Sequence, residues 1–272
     1  MVKKLFFPFF YLSADVLLSV FGNVALLSLS LSVKPKIPIL VCLGLAVFSI
    51  YILDRSSDSI REKGGVKTER GIFYQNKIGL TVFAGLLSLT FSVILGFLYL
   101  PLSFFIAGVV LGFLVFLYFI STQFFRISFL PKEIVLSLLY TLGISFPVLL
   151  ERFPDYDEYP IFFTLFLSVL CNVLLTYRND LEWDKQFRFK TITLYLGKEY
   201  TTMLFYTLSG IGIGLCIYFG LQDPNHHLPA LCLSFTFCYL IFLEPWGRKN
   251  SPVWFKTFCE LAYGPFLFLW MI

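Results

Sequence analysis

The chain has 272 residues; 58% are hydrophobic, 19% aromatic and only 14% charged, with a mean hydropathy of +0.81. That balance lies far outside the range of ordinary soluble domains and places the chain among membrane proteins. The formal net charge is +4, and no nucleic-acid partner is expected.

A bilayer-spanning helix needs about 20 mostly apolar residues. Runs of that kind lie near 5–32, 37–57, 77–99, 102–122, 131–150, 159–179, 200–220, 228–245 and 252–272. The expected fold is all-α: a polytopic bundle of nine transmembrane helices forming a single transmembrane domain over 1–272. The first run lacks a small-residue cleavage site followed by a soluble domain, so it reads as a span rather than a signal peptide. It carries Asp15 and Asn23, polar residues that are functional candidates by default inside a membrane.

The second run ends in YILDRSSDSIRE, where Asp54, Asp58 and Glu62 recur every four residues. On a helix that spacing stacks the three carboxylates on one face, about 40° and about 6 Å apart at each step. Their mutual repulsion calls for a cation or a solvated helix end. The polar segment that follows, 55–76, contains Arg61, Lys63, Lys67 and Arg70. The sixth run, which carries Asn172, ends in YRNDLEWD, and its Tyr-x-x-Asp-x-x-x-Asp skeleton repeats that of YILDRSSD. Asp180 and Asp184 make a second acidic ledge, followed by Lys185, Arg188 and Lys190. Each copy closes an even-numbered span, and internal repeats in multispan folds tend to place the site at their interface.

Of the 21 Lys and Arg residues, 18 fall at the N-terminus or after even-numbered runs, against Lys34, Lys36 and Arg152 on the other side. By the positive-inside rule the N-terminus and both long polar segments are expected in the cytoplasm and the C-terminus outside. Those statistics and phosphate binding both account for the basic residues beside the ledges. Glu244 and Glu260 lie in the last two runs. The six cysteines sit in apolar runs without CxxC spacing and read as packed small hydrophobes. His226 and His227, in the loop DPNHHLP, read as solvated.

Two facing acidic ledges supply hard oxygen ligands for Mg²⁺, which takes one or two carboxylates together with waters and phosphate oxygens. A phosphorylated ligand is therefore implied. The ledges and the topology resemble the UbiA superfamily of intramembrane prenyltransferases, nine-helix proteins with one Asp-rich motif after the second helix and another after the sixth. Asp54-x-x-x-Asp58-x-x-x-Glu62 is similar to the family's first motif, with Asp in place of the usual Asn and Glu in place of the usual Asp. Asp180-x-x-x-Asp184 is similar to the second, and Lys190-Thr191 through Leu196-Gly197 to its ending. The Arg-Pro pairs common in the family are absent.

The resemblance implies Mg²⁺ held by Asp54, Asp58, Glu62, Asp180 and Asp184, with Asp58 and Asp184 central to catalysis and Lys67, Arg70 and Lys190 on the diphosphate. It implies Mg²⁺-dependent transfer of an isoprenyl group from a prenyl diphosphate to an aromatic or lipid acceptor within the membrane. The alternative is a noncatalytic lipid-binding or transport protein with the same fold. A CDP-alcohol phosphatidyltransferase would need an Asp-Gly-x-x-Ala-Arg type motif that the sequence lacks.

Overall fold

The computed structural model describes residues 11–62, 69–121, 131–187, 189–247 and 252–271. Among them run α1 (Ala14–Ser30), α2 (Ile37–Glu62), the short α3 (Glu69–Asn76), α4 (Ile78–Tyr99), α5 (Leu102–Ile120) and α6 (Lys132–Leu149). There follow α7 (Tyr159–Tyr177), a 3-10 turn Arg178–Asp180, α8 (Leu181–Phe187), α9 (Ile192–Gln222), α10 (His227–Gly247), α11 (Pro252–Glu260) and a 3-10 segment Leu261–Met271. No strand occurs among the described residues.

Local chemistry sets many of the boundaries. Pro101 and Pro131 stand immediately before α5 and α6, where a missing N–H costs nothing. The acidic run 155–159 winds into a 3-10 turn closed by a capping box: the Asp155 N–H donates to Glu158 Oε2 at 2.7 Å. Thr191 caps α9 by accepting from the Leu194 N–H at 3.1 Å. Five residues into α9 the backbone leaves the helix at Gly197, with φ 80° and ψ 166°, a region essentially restricted to glycine.

Seven helices among the described residues are long and apolar enough to cross a membrane, and the protein is an integral multi-pass membrane protein. The count differs from the nine expected runs at the two ends. Helix α1 has 17 residues, about 26 Å at 1.5 Å per residue against a hydrocarbon core of about 30 Å. The ninth run divides at Glu260 into α11 and a 3-10 stretch that contains Pro265. At 2.0 Å per residue in the 3-10 part, the two together still reach about 35 Å.

Helix α1 packs against the C-terminal 3-10 segment, α6, α2, α10 and α11, and buries Val20, Val24 and Leu27 completely. Gly22 leaves the space in which the Tyr263 carbonyl meets it, and any Cβ there would collide with that oxygen. Helix α7 is equally central, flanked by α6, α9, α10 and α11. Helix α2 packs along α4 through serines: Ser88 Oγ donates to the Leu45 carbonyl at 2.8 Å and Ser92 Oγ to the Cys42 carbonyl at 2.9 Å. Helix α5 has no buried residue and presents apolar side chains such as Val109 and Phe113 outward. In α6 the buried Ser137, Thr141 and Ser145 each donate to the carbonyl four residues earlier, at 2.7–2.8 Å.

The six cysteines are free. His226 departs from expectation: it closes a 3-10 turn, Pro224–His226, that folds it inward against the Phe219 ring at 6.3 Å, while His227 remains exposed.

Candidate functional site

Asp54 and Asp58 lie on one face of the unbroken helix α2, as their spacing requires. Glu62 is its last residue; its side chain, like Lys67, lies outside the described residues. The second ledge is built differently. Helix α7 ends at Tyr177, Asp180 closes the 3-10 turn, and Asp184 sits within α8. The repeated octet therefore conceals two backbones, one continuous and one turned.

Asp184 is fully buried, and the Lys132 ammonium at the start of α6 reaches its Oδ1 at 2.5 Å. Burial pushes the Asp184 carboxyl up, and Lys132 pulls it back. Its other oxygen, Oδ2, is buried with no hydrogen-bond partner. Asp180 pairs with Lys256 of α11. Lys132 also stands 4.2 Å from the centre of the Tyr177 ring and 4.6 Å from that of Phe189. The guanidinium of Arg61, near the end of α2, approaches the same Phe189 ring at 5.3 Å. Phe189 thus joins the end of the first ledge's helix to the cation that holds the second ledge.

Both ledges act on the same two phenols. The phenols of Tyr118 on α5 and Tyr177 on α7 each lie within electrostatic reach of Asp54 and Asp184. Asp54, Tyr118 and Tyr177 are half-buried. The charges that act most strongly on Asp54 are those of Asp58, Arg55, Lys132 and Arg61.

Mg²⁺ is the cation the sequence implies here, and the donors fit it incompletely by themselves. No group of three His, Cys, Asp or Glu side chains converges among the described residues. One or two carboxylates per ion suffice when phosphate oxygens and water complete the shell. The bare Oδ2 of Asp184 and the accessible Asp54 and Asp58 are suited to that partial role.

The expected phosphate-binding cations part company. Lys190 is exposed, and its carbonyl accepts from the Lys132 N–H at 3.1 Å. Arg70 on α3 lies within electrostatic reach of Asp15 and Glu260; burial and the nearby Arg55 hold its pKa down at about 10. Four site residues, Arg55, Lys132, Lys256 and Phe189, are not among the acidic and basic positions that the motifs single out. Lys256 carried a signal, as a cation inside an apolar run. Lys132 was legible only as a topological charge at a span edge. Behind the turn, buried Arg178 pairs with fully buried Glu244 of α10. Arg178 also donates to Thr202 Oγ1 at 2.9 Å, and the Tyr206 hydroxyl donates to Glu244 Oε2 at 2.9 Å.

No family model and no curated protein sequence matches the chain. Among solved structures it is similar to a UbiA homologue from Archaeoglobus fulgidus bound to GPP and Mg²⁺, at a TM-score of 0.70 and 14% identity, over 95% of this chain and 96% of that one. The homologue from the same organism bound to DMAPP and Mg²⁺ gives 0.65 and 15%, over 94% and 97%. The apo UbiA homologue from Aeropyrum pernix K1 gives 0.64 and 12%, over 96% and 99%. The chain has the UbiA fold.

Proposed function

We propose that this protein, built on the UbiA fold, transfers an isoprenyl group from a prenyl diphosphate to an aromatic or lipid acceptor within the membrane, with Mg²⁺ as cofactor. The observation that carries the reading is that Asp54 of the first ledge and Asp184 of the second lie within electrostatic reach of the same two phenols, Tyr118 and Tyr177. Asp54, Asp58, Asp180 and Asp184 would hold the ion, with Glu62 extending the first ledge. Mg²⁺ when bound neutralises charge that grows on the leaving diphosphate.

The remaining chemistry belongs to the chain. Lys132 and Lys256 already lie against the second ledge, where their ammonium groups would also serve the oxygens of a bound diphosphate. Arg55 and Arg61, on the same helix as the first ledge, act electrostatically on Asp54, and Lys67, Arg70 and Lys190 remain candidates for outer phosphate contacts. An allylic diphosphate that ionises leaves a carbocation, which the faces of Tyr118 and Tyr177 are suited to stabilise. The apolar helices around them exclude the water that would quench it. The similar Archaeoglobus fulgidus proteins, bound to DMAPP or GPP with Mg²⁺, support this choice of ligand.

The charge bias supports an orientation with the N-terminus and both ledges on the cytoplasmic side and the C-terminus outside. Purified protein given Mg²⁺ and labelled geranyl, farnesyl or geranylgeranyl diphosphate with a panel of aromatic and lipid acceptors should release pyrophosphate and a prenylated product. Asp58→Asn and Asp184→Asn should abolish it. Tight binding without turnover across the panel would assign the fold to lipid binding or transport instead.

A further inference from the structure

The start of α6 holds the second ledge at more points than the Lys132–Asp184 pair. The Lys132 N–H donates to the Lys190 carbonyl at 3.1 Å, and the next residue, Glu133, accepts from the Ile192 N–H on Oε1 at 2.8 Å. Within the returning chain, the Phe189 N–H donates to the Asp184 carbonyl at 3.0 Å. Two successive residues of α6 therefore grip the chain both at the ledge and where it enters α9. Between those grips Phe189 is 8% exposed, with its ring against Lys132 at 4.6 Å and Arg61 of α2 at 5.3 Å.

Glu133 is unusual for an acid in the first turn of a helix. Such residues meet the positive end of the helix, and most do so in water. Glu133 is fully buried, as are Thr191 and Thr193 on either side of Ile192. A carboxylate at that depth is costly unless hydrogen bonds compensate it. What Oε1 obtains is the N–H of the first residue of α9, a donor that the helix cannot satisfy internally. The Thr191 cap on Leu194 is local, whereas Glu133 lies 59 positions from Ile192 and ties the start of one helix to the start of another.

Resting on the prenyl-transfer reading, we infer that Glu133 is a positioning residue for the second ledge. By holding Ile192 it fixes the return from Asp184, so that Phe189 stays against Arg61 and Lys132 stays on Asp184 Oδ1. The spacing between the two ledges, and with it their joint hold on Mg²⁺ and a diphosphate, then depends on a residue outside both.

The test uses the full chain in lipid nanodiscs and two readouts: hydrogen exchange of the metal-free protein over 189–196, and Mg²⁺-dependent binding of labelled geranyl diphosphate. Glu133→Ala should speed exchange at Ile192 by about tenfold or more and weaken diphosphate binding by about 10–100-fold. Glu133→Gln keeps an acceptor oxygen and should stay within about threefold of the parent in both. Ile192→Pro removes the N–H itself at a helix position that accepts proline, and Thr191, at φ −122° and ψ 153°, already has the extended backbone that precedes one. It should reproduce the binding loss of Glu133→Ala, whereas Ile192→Ala, which keeps the N–H, should bind far better than the proline variant. Where Glu133→Ala does not fold, the Ile192 pair decides. A lowered melting temperature with unchanged diphosphate affinity in Glu133→Ala overturns the assignment. So does Glu133→Gln behaving like Glu133→Ala, and so does Ile192→Pro binding as well as Ile192→Ala. A parent that binds no diphosphate refutes the prenyl-transfer reading and the role built on it, while the exchange result still decides whether the Glu133–Ile192 tie exists.

Discussion

The Arg178–Glu244 pair offers a direct measurement of how firmly the second ledge is anchored. Arg178 lies two residues before Asp180 in the 3-10 turn, and the side chains of the pair are 6% and 0% exposed. At that depth water cannot replace a lost partner. Arg178→Met should take the guanidinium from the Glu244 carboxylate, to which the Tyr206 hydroxyl also donates, and Glu244→Leu should take the carboxylate from the guanidinium, which also donates to Thr202. Removing one partner of a buried pair costs about 3–5 kcal/mol, whereas replacing both by apolar groups is often close to neutral. At roughly 2–4 °C per kcal/mol for a chain of this size class, each single variant should melt roughly 6–20 °C below the parent. The double variant should recover most of that difference. Melting of detergent-solubilised protein at one scan rate, completed as a double-mutant cycle, gives the coupling directly. Single variants that melt with the parent, or a double variant as unstable as the sum of the singles, would refute the idea that this pair holds the turn. Both singles should also weaken Mg²⁺-dependent diphosphate binding, because Asp180 moves with its turn.

A fluorinated prenyl diphosphate should bind as well as the natural one and react far more slowly if ionisation limits the rate, since fluorine destabilises the carbocation without touching phosphate contacts; equal turnover would place the limit elsewhere, and equal turnover under single-turnover conditions would refute ionisation as the chemical step. Gly197→Ala should destabilise the protein by about 1–3 kcal/mol through backbone strain alone, because an added Cβ meets no atom within 4 Å; a neutral result by thermal melting would mean that the break in α9 can relax. A single cysteine at position 65, in a background without the six native cysteines, should react with impermeant reagent only from the cytoplasmic side, and labelling only from outside would invert the topology.

What the sequence made legible follows from what is local. Long apolar runs announce spans because the bilayer imposes length, and the four-residue spacing of Asp54 and Asp58 survives as one helix face because α2 is unbroken. Asp180 and Asp184 share that spacing, but the 3-10 turn between α7 and α8 is a tertiary decision, held by Arg178 reaching α10. The partners of the second ledge were illegible for the same reason: Lys132 and Lys256 lie 52 and 76 positions from Asp184 and Asp180. Gly197 could be read as part of a family ending but not as a break in a helix, since its backbone angles carry no mark in composition. His226 looked like a loop residue, and only the turn that folds it against Phe219 buries it.

The hydroxyl ladder of α6 bears on how the chain is made. Ser137, Thr141 and Ser145 find their acceptors within their own helix, so α6 can leave the translocon and enter lipid before any neighbour exists. Its first residue cannot be satisfied so early, because Lys132 meets Asp184 only after a further 52 residues have been synthesised. Arg178 waits longer, 66 residues, for Glu244. During synthesis these charges must stay at the headgroup level, where water can hold them, and be drawn inward only as α10 arrives. Closure of the second ledge is thereby tied to near-completion of the chain, so an abandoned fragment that stops short of α10 would carry its acidic turn in an unlocked form.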